Sequence, residues 1–250
     1  MGSKRTDDWN DWVGPEMSTD KTAIRDAATV IVLRDRMTNP SILMGQRGAK
    51  AVFMPNKFVF PGGAVDAEDA LVSLSADMSQ LCRDRLTEQS PPGLQNALAA
   101  AAIRELWEET GLVLGVPGAW TGEVPIDWQS YAEAGFLPSA QALQFVFRAV
   151  TPPGRTRRFD ARFFLVDADA LQGDLDDFGR ASDELSHLQW VPLNKARELD
   201  LPFITEVVLA EVAARVTRPE PPHSVPFFLN QEEQSLFLQI KGYPMSEQDF

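Results

Sequence analysis

The stretch from about Leu94 through Ala97, the four alanines 99 to 102 and Ile103 to Gly111 constrains the folding of this chain more than any other. Alanine is the best helix former and glycine is favoured just past a helix end, so the pattern predicts a helix stopped at Gly111. Its last turn carries Arg104, Glu105, Glu108 and Glu109. Spacings of three and four place the three glutamates on one face, where like charges cost about 0.2–0.5 kcal/mol per pair. The helix macrodipole also disfavours negative charge at this end. A helix that accepts both penalties is read as holding a cation, and hard divalent ions such as magnesium and manganese take oxygen ligands of this kind. A solvated acidic face, with Arg104 paired to Glu108, accounts for the same residues without a ligand.

Upstream, Phe60-Pro61-Gly62-Gly63-Ala64-Val65-Asp66 follows an apolar, strand-like run and reads as a strand ending in a tight turn. Paired glycines there let the backbone approach another group closely. Taken together, the turn and the acidic helix resemble the Nudix box, G-x5-E-x7-R-E-U-x-E-E-x-G-U, with U a bulky apolar residue. The box glycine falls on Gly63, and the second half matches from Arg104 to Leu112. The sequence departs from the pattern twice. Asp69 stands where the first glutamate belongs, and 34 residues, 70 to 103, replace the seven-residue spacer. The excess is read as an inserted helix over Ala67 to Leu86, broken by Ser90-Pro91-Pro92-Gly93. The wider arrangement, over roughly 24 to 215, is similar to the Nudix branch that contains the animal peroxisomal coenzyme A diphosphatase.

That resemblance implies an α+β, α-β-α sandwich around a mixed sheet. It also implies magnesium or manganese held by Glu105, Glu108 and Glu109, with Glu105 as ligand or base. Arg104 would orient a carboxylate, and Gly62 and Gly63 would close the strand–helix junction over the site. Members often recruit one further acid from a distant loop. Glu184 is nominated, with Asp183 second, against the alternative of a solvated turn. For substrate, Arg155, Arg157, Arg158 and Arg162 form a basic cluster in an acidic chain. If 157 to 166 is a strand, Arg158, Asp160 and Arg162 share one face, opposite Phe159, Ala161 and Phe163. Arg158 and Arg162, with Arg47, are the expected phosphate-binding cations, Lys50 being a weaker candidate. A charged edge that discourages strand pairing is the alternative for the cluster.

The chain has 250 residues, 44% of them hydrophobic, enough for a sizeable core. Further strands are expected over 28–33, 42–44, 143–147, 163–166 and 188–191, with helices over 194–199 and 204–216. Residues 1–22 read as a loose arm, 23–217 as the Nudix domain with an insertion at about 70–96, and 218–250 as an extension. That extension is expected to pack on the core or on a partner subunit in a homodimer. A single cysteine, Cys82, excludes an internal disulfide framework. The net charge of −13 argues against broad nucleic-acid or acidic-membrane binding. No apolar run reaches the ~20 residues that span a bilayer, and no leader is recognisable, which suits a cytoplasmic protein. The expected activity is hydrolysis of a small nucleoside-diphosphate-linked substrate, coenzyme A or an acyl derivative first. ADP-ribose or NADH hydrolysis, and a non-catalytic nucleotide-binding module, are the alternatives.

Overall fold

The computed structural model describes residues 23–231 and 234–242. The arm expected over 1–22 lies outside them. A nine-stranded mixed sheet is sandwiched between helices, the predicted α-β-α arrangement. At its centre, β1 (Ile24–Arg34) pairs with β2 (Ser41–Arg47), beyond which lies β3 (Phe58–Val59), and also with β4 (Gly62–Ala64). Two helices follow, α1 (Gln80–Thr87) and α2 (Leu94–Thr110). Next come a small two-stranded sheet of β5 (Gly115–Pro117) and β6 (Phe136–Pro138), with α3 (Gln129–Glu133) between them. The main sheet is completed by β7 (Gln144–Val150), β8 (Arg158–Asp167) and β9 (Leu185–Pro192), then, after α4 (Phe203–Arg215), by β10 (Val225–Asn230) and β11 (Ser235–Ile240).

Strand periodicity decides which residues meet which helix. Ala28, Val30 and Val32 of β1, with Phe164 and Val166 of β8, face α1 and α2. Ile31, Leu33, Phe163 and Leu165 face α4. β8 runs parallel to β1 along ten residue pairs and antiparallel to β7, so both its edges are paired. Each fully buried Phe, Leu, Ile or Val contributes roughly 1.5–3 kcal/mol. α2 is buried nearly all round: the stretch 97–107 is enclosed, and its alanines let the helix sit close against the sheet. Its end is as expected. Gly111 is left-handed (φ 75°), and its N–H donates to Trp107 O at 2.8 Å.

The inserted segment differs from the single helix expected over Ala67 to Leu86. A 3₁₀ turn spans Ala67–Leu71, the chain then runs extended, and only Gln80–Thr87 is α-helical. Tertiary pairing wins over helical spacing here. Ser75 N–H donates to Pro138 O, and Ala140 N–H donates to Ala76 O, so 75 to 76 are tied to the strand end at 138 to 140. Ser79 then caps α1 by accepting from Cys82 N–H. The segment after residue 218 forms a hairpin, with β10 added in parallel to β7 and Val225, Phe227 and Ile240 in the core. Among the described residues no helix is long and apolar enough to cross a membrane.

The strand that positions the site is β1, because it forks. Residues 27–29 pair with β4 and residues 33–34 pair with β2. A cleft of about 1320 Å³ opens in this region, lined by Ala27 and Thr29 of β1, β4 and the last turn of α2.

Candidate functional site

Arg104 organises the carboxylates. It is 4% exposed, and its guanidinium forms a two-bond fork on Asp69 (Nε to Oδ1 2.9 Å, Nη2 to Oδ2 3.0 Å). Nη1 donates to Glu105 Oε1 at 2.9 Å and Glu108 Oε2 at 3.0 Å, and Nη2 also donates to Ala64 O. The short side chain of Asp69 suffices because a capping turn carries it inward: Asp66 N–H donates to Asp69 Oδ2 at 2.9 Å, and the indole of Trp128 donates to Oδ1. Burial opposes charge on Arg104, but its bonds to Asp69 and the neighbouring carboxylates raise its proton affinity further.

The glycine turn packs directly on the other two carboxylates. Gly62 N–H donates to Glu109 Oε2 at 2.7 Å. A Cβ on Gly63 would overlap the Glu105 carboxylate, so a side chain there would push that carboxylate out of its place. Burial pushes the Glu105 carboxyl up to about 7, despite the attraction of Arg104, and Glu108 is raised for the same reason. Burial and then the charge of Glu105 hold Glu109 well above the ordinary carboxylate range, against Gly62 N–H and Arg47.

One guanidinium is thus shared among Asp66, Asp69, Glu105 and Glu108, with Glu109 beside them. Negative charge exceeds positive around the buried Asp69, Glu105 and Glu109. Among the described residues no three acidic, His or Cys side chains form a ready-made ion cage. Glu105 and Glu108 each give an oxygen to Arg104, and Glu109 gives one to Gly62. The donor set still fits a hard divalent cation: it is all carboxylate oxygen, crowded, and reluctant to ionise without added positive charge.

Glu184 and Asp183 line the same cleft from the loop before β9. That loop is tied to α2, with Ser182 N–H donating to Glu108 O at 2.8 Å. The charge of Glu184 reaches both Glu105 and Glu109. Arg47, at the end of β2, also lines the cleft, and its buried Nε has no hydrogen-bond partner.

Arg158 and Arg162 are not brought to the cleft, contrary to the sequence expectation. Phe159, Ala161 and Phe163 line it, and strand alternation turns Arg158 and Arg162 to the opposite face. Arg162 is 1% exposed and pairs with Asp26, Asp160 and Ser90 Oγ; Arg158 donates to Thr151 O. Arg155 and Arg157 of the same cluster do line the cleft. The aromatic face of β8 was the available signal, since Arg157 shares its parity. Sequence reasoning also missed Asp127, which lines the cleft near enough to Glu108 to raise it, and Trp128. Both sit on a short 3₁₀ turn with no motif of its own.

No family profile matches the chain. A crystal structure of a Nudix hydrolase from Alicyclobacillus acidocaldarius superposes with a TM-score of 0.58 at 29% sequence identity, covering 80% of this chain and 94% of that one. In both sequence and fold the chain is similar to Nudix hydrolases. A Caenorhabditis elegans protein named nudix hydrolase 7 is 28% identical over 179 residues, covering 67% of this chain. The chain spans about half, 51%, of the length of that curated relative. In this Nudix fold, the box motif corresponds to the glycine turn and the carboxylate end of α2, joined across the insertion through Asp69 and Arg104.

Proposed function

We propose that this protein is a metal-dependent pyrophosphohydrolase of nucleoside-diphosphate-linked compounds, with coenzyme A or an acyl derivative the leading substrate. The products would be 4′-phosphopantetheine, or its acyl form, and adenosine 3′,5′-bisphosphate. The observation that carries the reading is the buried excess of carboxylate at the end of α2, opening on a cleft that also holds unpaired cations. The likeness to Nudix hydrolases in sequence and fold supports the class of reaction. Magnesium or manganese would be held by Glu105, Glu108 and Glu109, and would neutralise diphosphate oxygens as water attacks phosphorus.

The chain's own groups divide the remaining work. Arg104, anchored by Asp69, keeps Glu105 and Glu108 oriented through charge-assisted bonds. Gly62 fixes Glu109, and Gly63 leaves room for Glu105. Arg47 faces the carboxylates with donor capacity to spare, which suits a diphosphate oxygen. Glu184 is exposed and free to accept a proton from the attacking water, with Asp183 as its neighbour.

The test is product analysis of purified protein supplied with magnesium or manganese and, in parallel, coenzyme A, ADP-ribose and NADH. Adenosine 3′,5′-bisphosphate released far faster than products from the other two supports the coenzyme A reading. Preference for ADP-ribose or NADH would retain the chemistry and overturn the substrate. No turnover of any of them by folded, metal-loaded protein would favour a nucleotide-binding module.

A further inference from the structure

The cleft contains a second concentration of charge, of the opposite sign. Arg47, Lys50, Arg155 and Arg157 line it, and none of the four forms a salt bridge among the described residues. Elsewhere the less exposed Arg34, Arg36, Arg148, Arg162 and Arg215 pair with Asp or Glu, while among the described residues the exposed Arg180, Lys195, Arg197 and Arg218 form no salt bridge. Acidic partners are abundant, so cations left unpaired in a cleft are available to an anionic ligand.

These cations fall into two groups. Arg47 belongs with the carboxylates, since it is among the charges that Glu109 feels most strongly. Arg155 and Arg157 sit on the loop between β7 and β8, away from that end. The loop is pinned at its base: Thr151 N–H donates to Phe159 O at 2.8 Å, Phe159 N–H donates to Thr151 Oγ1 at 3.0 Å, and Arg158 Nε donates to Thr151 O at 3.1 Å. With Arg158 turned away to hold the loop, Arg157 takes the cleft-facing parity of Phe159 and Ala161. Phe159 packs edge-on against Phe53, with ring centroids 5.3 Å apart. An apolar wall therefore stands beside the two guanidiniums.

We propose that Arg155 and Arg157 form an anion subsite for a phosphomonoester that the substrate carries in addition to its scissile diphosphate. Planar guanidiniums suit the oxygens of such a group, and two together suit its double charge. The subsite would separate coenzyme A, whose ribose bears a 3′-phosphate, from analogues that lack one. The inference deepens the hydrolase reading and rests on it for the scissile diphosphate, but not for the binding of the monoester.

The test compares coenzyme A with 3′-dephospho-coenzyme A in metal-loaded, full-length protein and in the Arg155→Ala/Arg157→Ala variant. The variant is expected to raise KM for coenzyme A about tenfold and to leave the dephospho compound within twofold. Lys195→Ala, which removes an exposed cation outside the cleft, is expected to shift neither. Calorimetric binding of adenosine 3′,5′-bisphosphate and of adenosine 5′-monophosphate gives a readout independent of turnover. The wild type should bind the bisphosphate more tightly, and the double variant should bind the two alike. Equal loss for both substrates, or no bisphosphate preference in the wild type, would overturn the subsite. Absence of turnover with the bisphosphate preference intact would overturn the hydrolase reading alone.

Discussion

Two buried arginine networks lie on different parts of this molecule, and their charge balance differs. Around Arg162, two guanidiniums, its own and that of Arg148, meet Asp26 and Asp160, with Ser90 and backbone carbonyls completing the donors. Positive and negative groups match, and nothing further is required. Around Arg104, one guanidinium holds Asp69, Glu105 and Glu108 and reaches the half-exposed Asp66, which Arg25 shares, while Glu109 lies alongside. Burying unbalanced charge is costly, and the cost shows in glutamates that resist ionisation. A balanced network fastens a strand to its loops. The unbalanced one is arranged for a cation that the polypeptide does not supply.

The largest effect should come from the unbalanced network. Glu109→Gln removes one proposed metal-binding charge while keeping the bond to Gly62 N–H. Turnover should fall by about two to three orders of magnitude with little change in the thermal midpoint. A folded variant with near-full rate would erase the distinction between the two networks. The balanced network should respond the other way. Arg162→Leu leaves Asp26 and Asp160 short of a partner, so stability should drop by about 3 kcal/mol in denaturant titration. The fraction that remains folded should keep its kcat/KM. A large loss of rate at unchanged stability would instead place Arg162 in the chemistry.

A smaller effect concerns pH. Glu105 has a folded value of about 7 against 4.5 for an unperturbed glutamate, so the fold prefers its protonated form. The corresponding stability is complete below 4.5 and is lost as pH rises through 7. Metal-free wild type should therefore lose thermal midpoint across that window relative to Glu105→Gln, by a few degrees. Added magnesium or manganese should restore more stability at pH 8 than at pH 5. Parallel curves for the two proteins would sharpen nothing and would remove the claimed charge excess at Glu105. The smallest contrast lies between the acids of the 181 to 184 loop. Glu184→Gln should lower the rate more than Asp183→Asn at equal metal affinity if Glu184 handles the proton.

The two networks also differed in how far the sequence revealed them. The alanine run, Gly111 and the turn at Gly62 and Gly63 make the α2 site legible, because local propensity and contact chemistry agree there. The link from Asp69 to Arg104 spans 35 positions, and its short carboxylate works only because the Asp66 turn and Trp128 position it. Spacing alone cannot show that. Arg158 and Arg162 misled for a different reason. Sequence showed which residues share a face of β8 but not which face meets solvent, and Phe159 and Phe163 proved to line the cleft. The helix expected over Ala67 to Leu86 failed where backbone pairing with 138 to 140 outweighed a spacing of leucines that fits a helix equally well.

The most direct test of a cation site at the end of α2 is calorimetric titration of manganese into metal-free wild type and Glu109→Gln protein at pH 8. The wild type should bind the ion with release of protons from the raised carboxyls, and the variant should bind at least tenfold more weakly. Equal affinity in the two proteins, or no binding to either, would contradict the assignment.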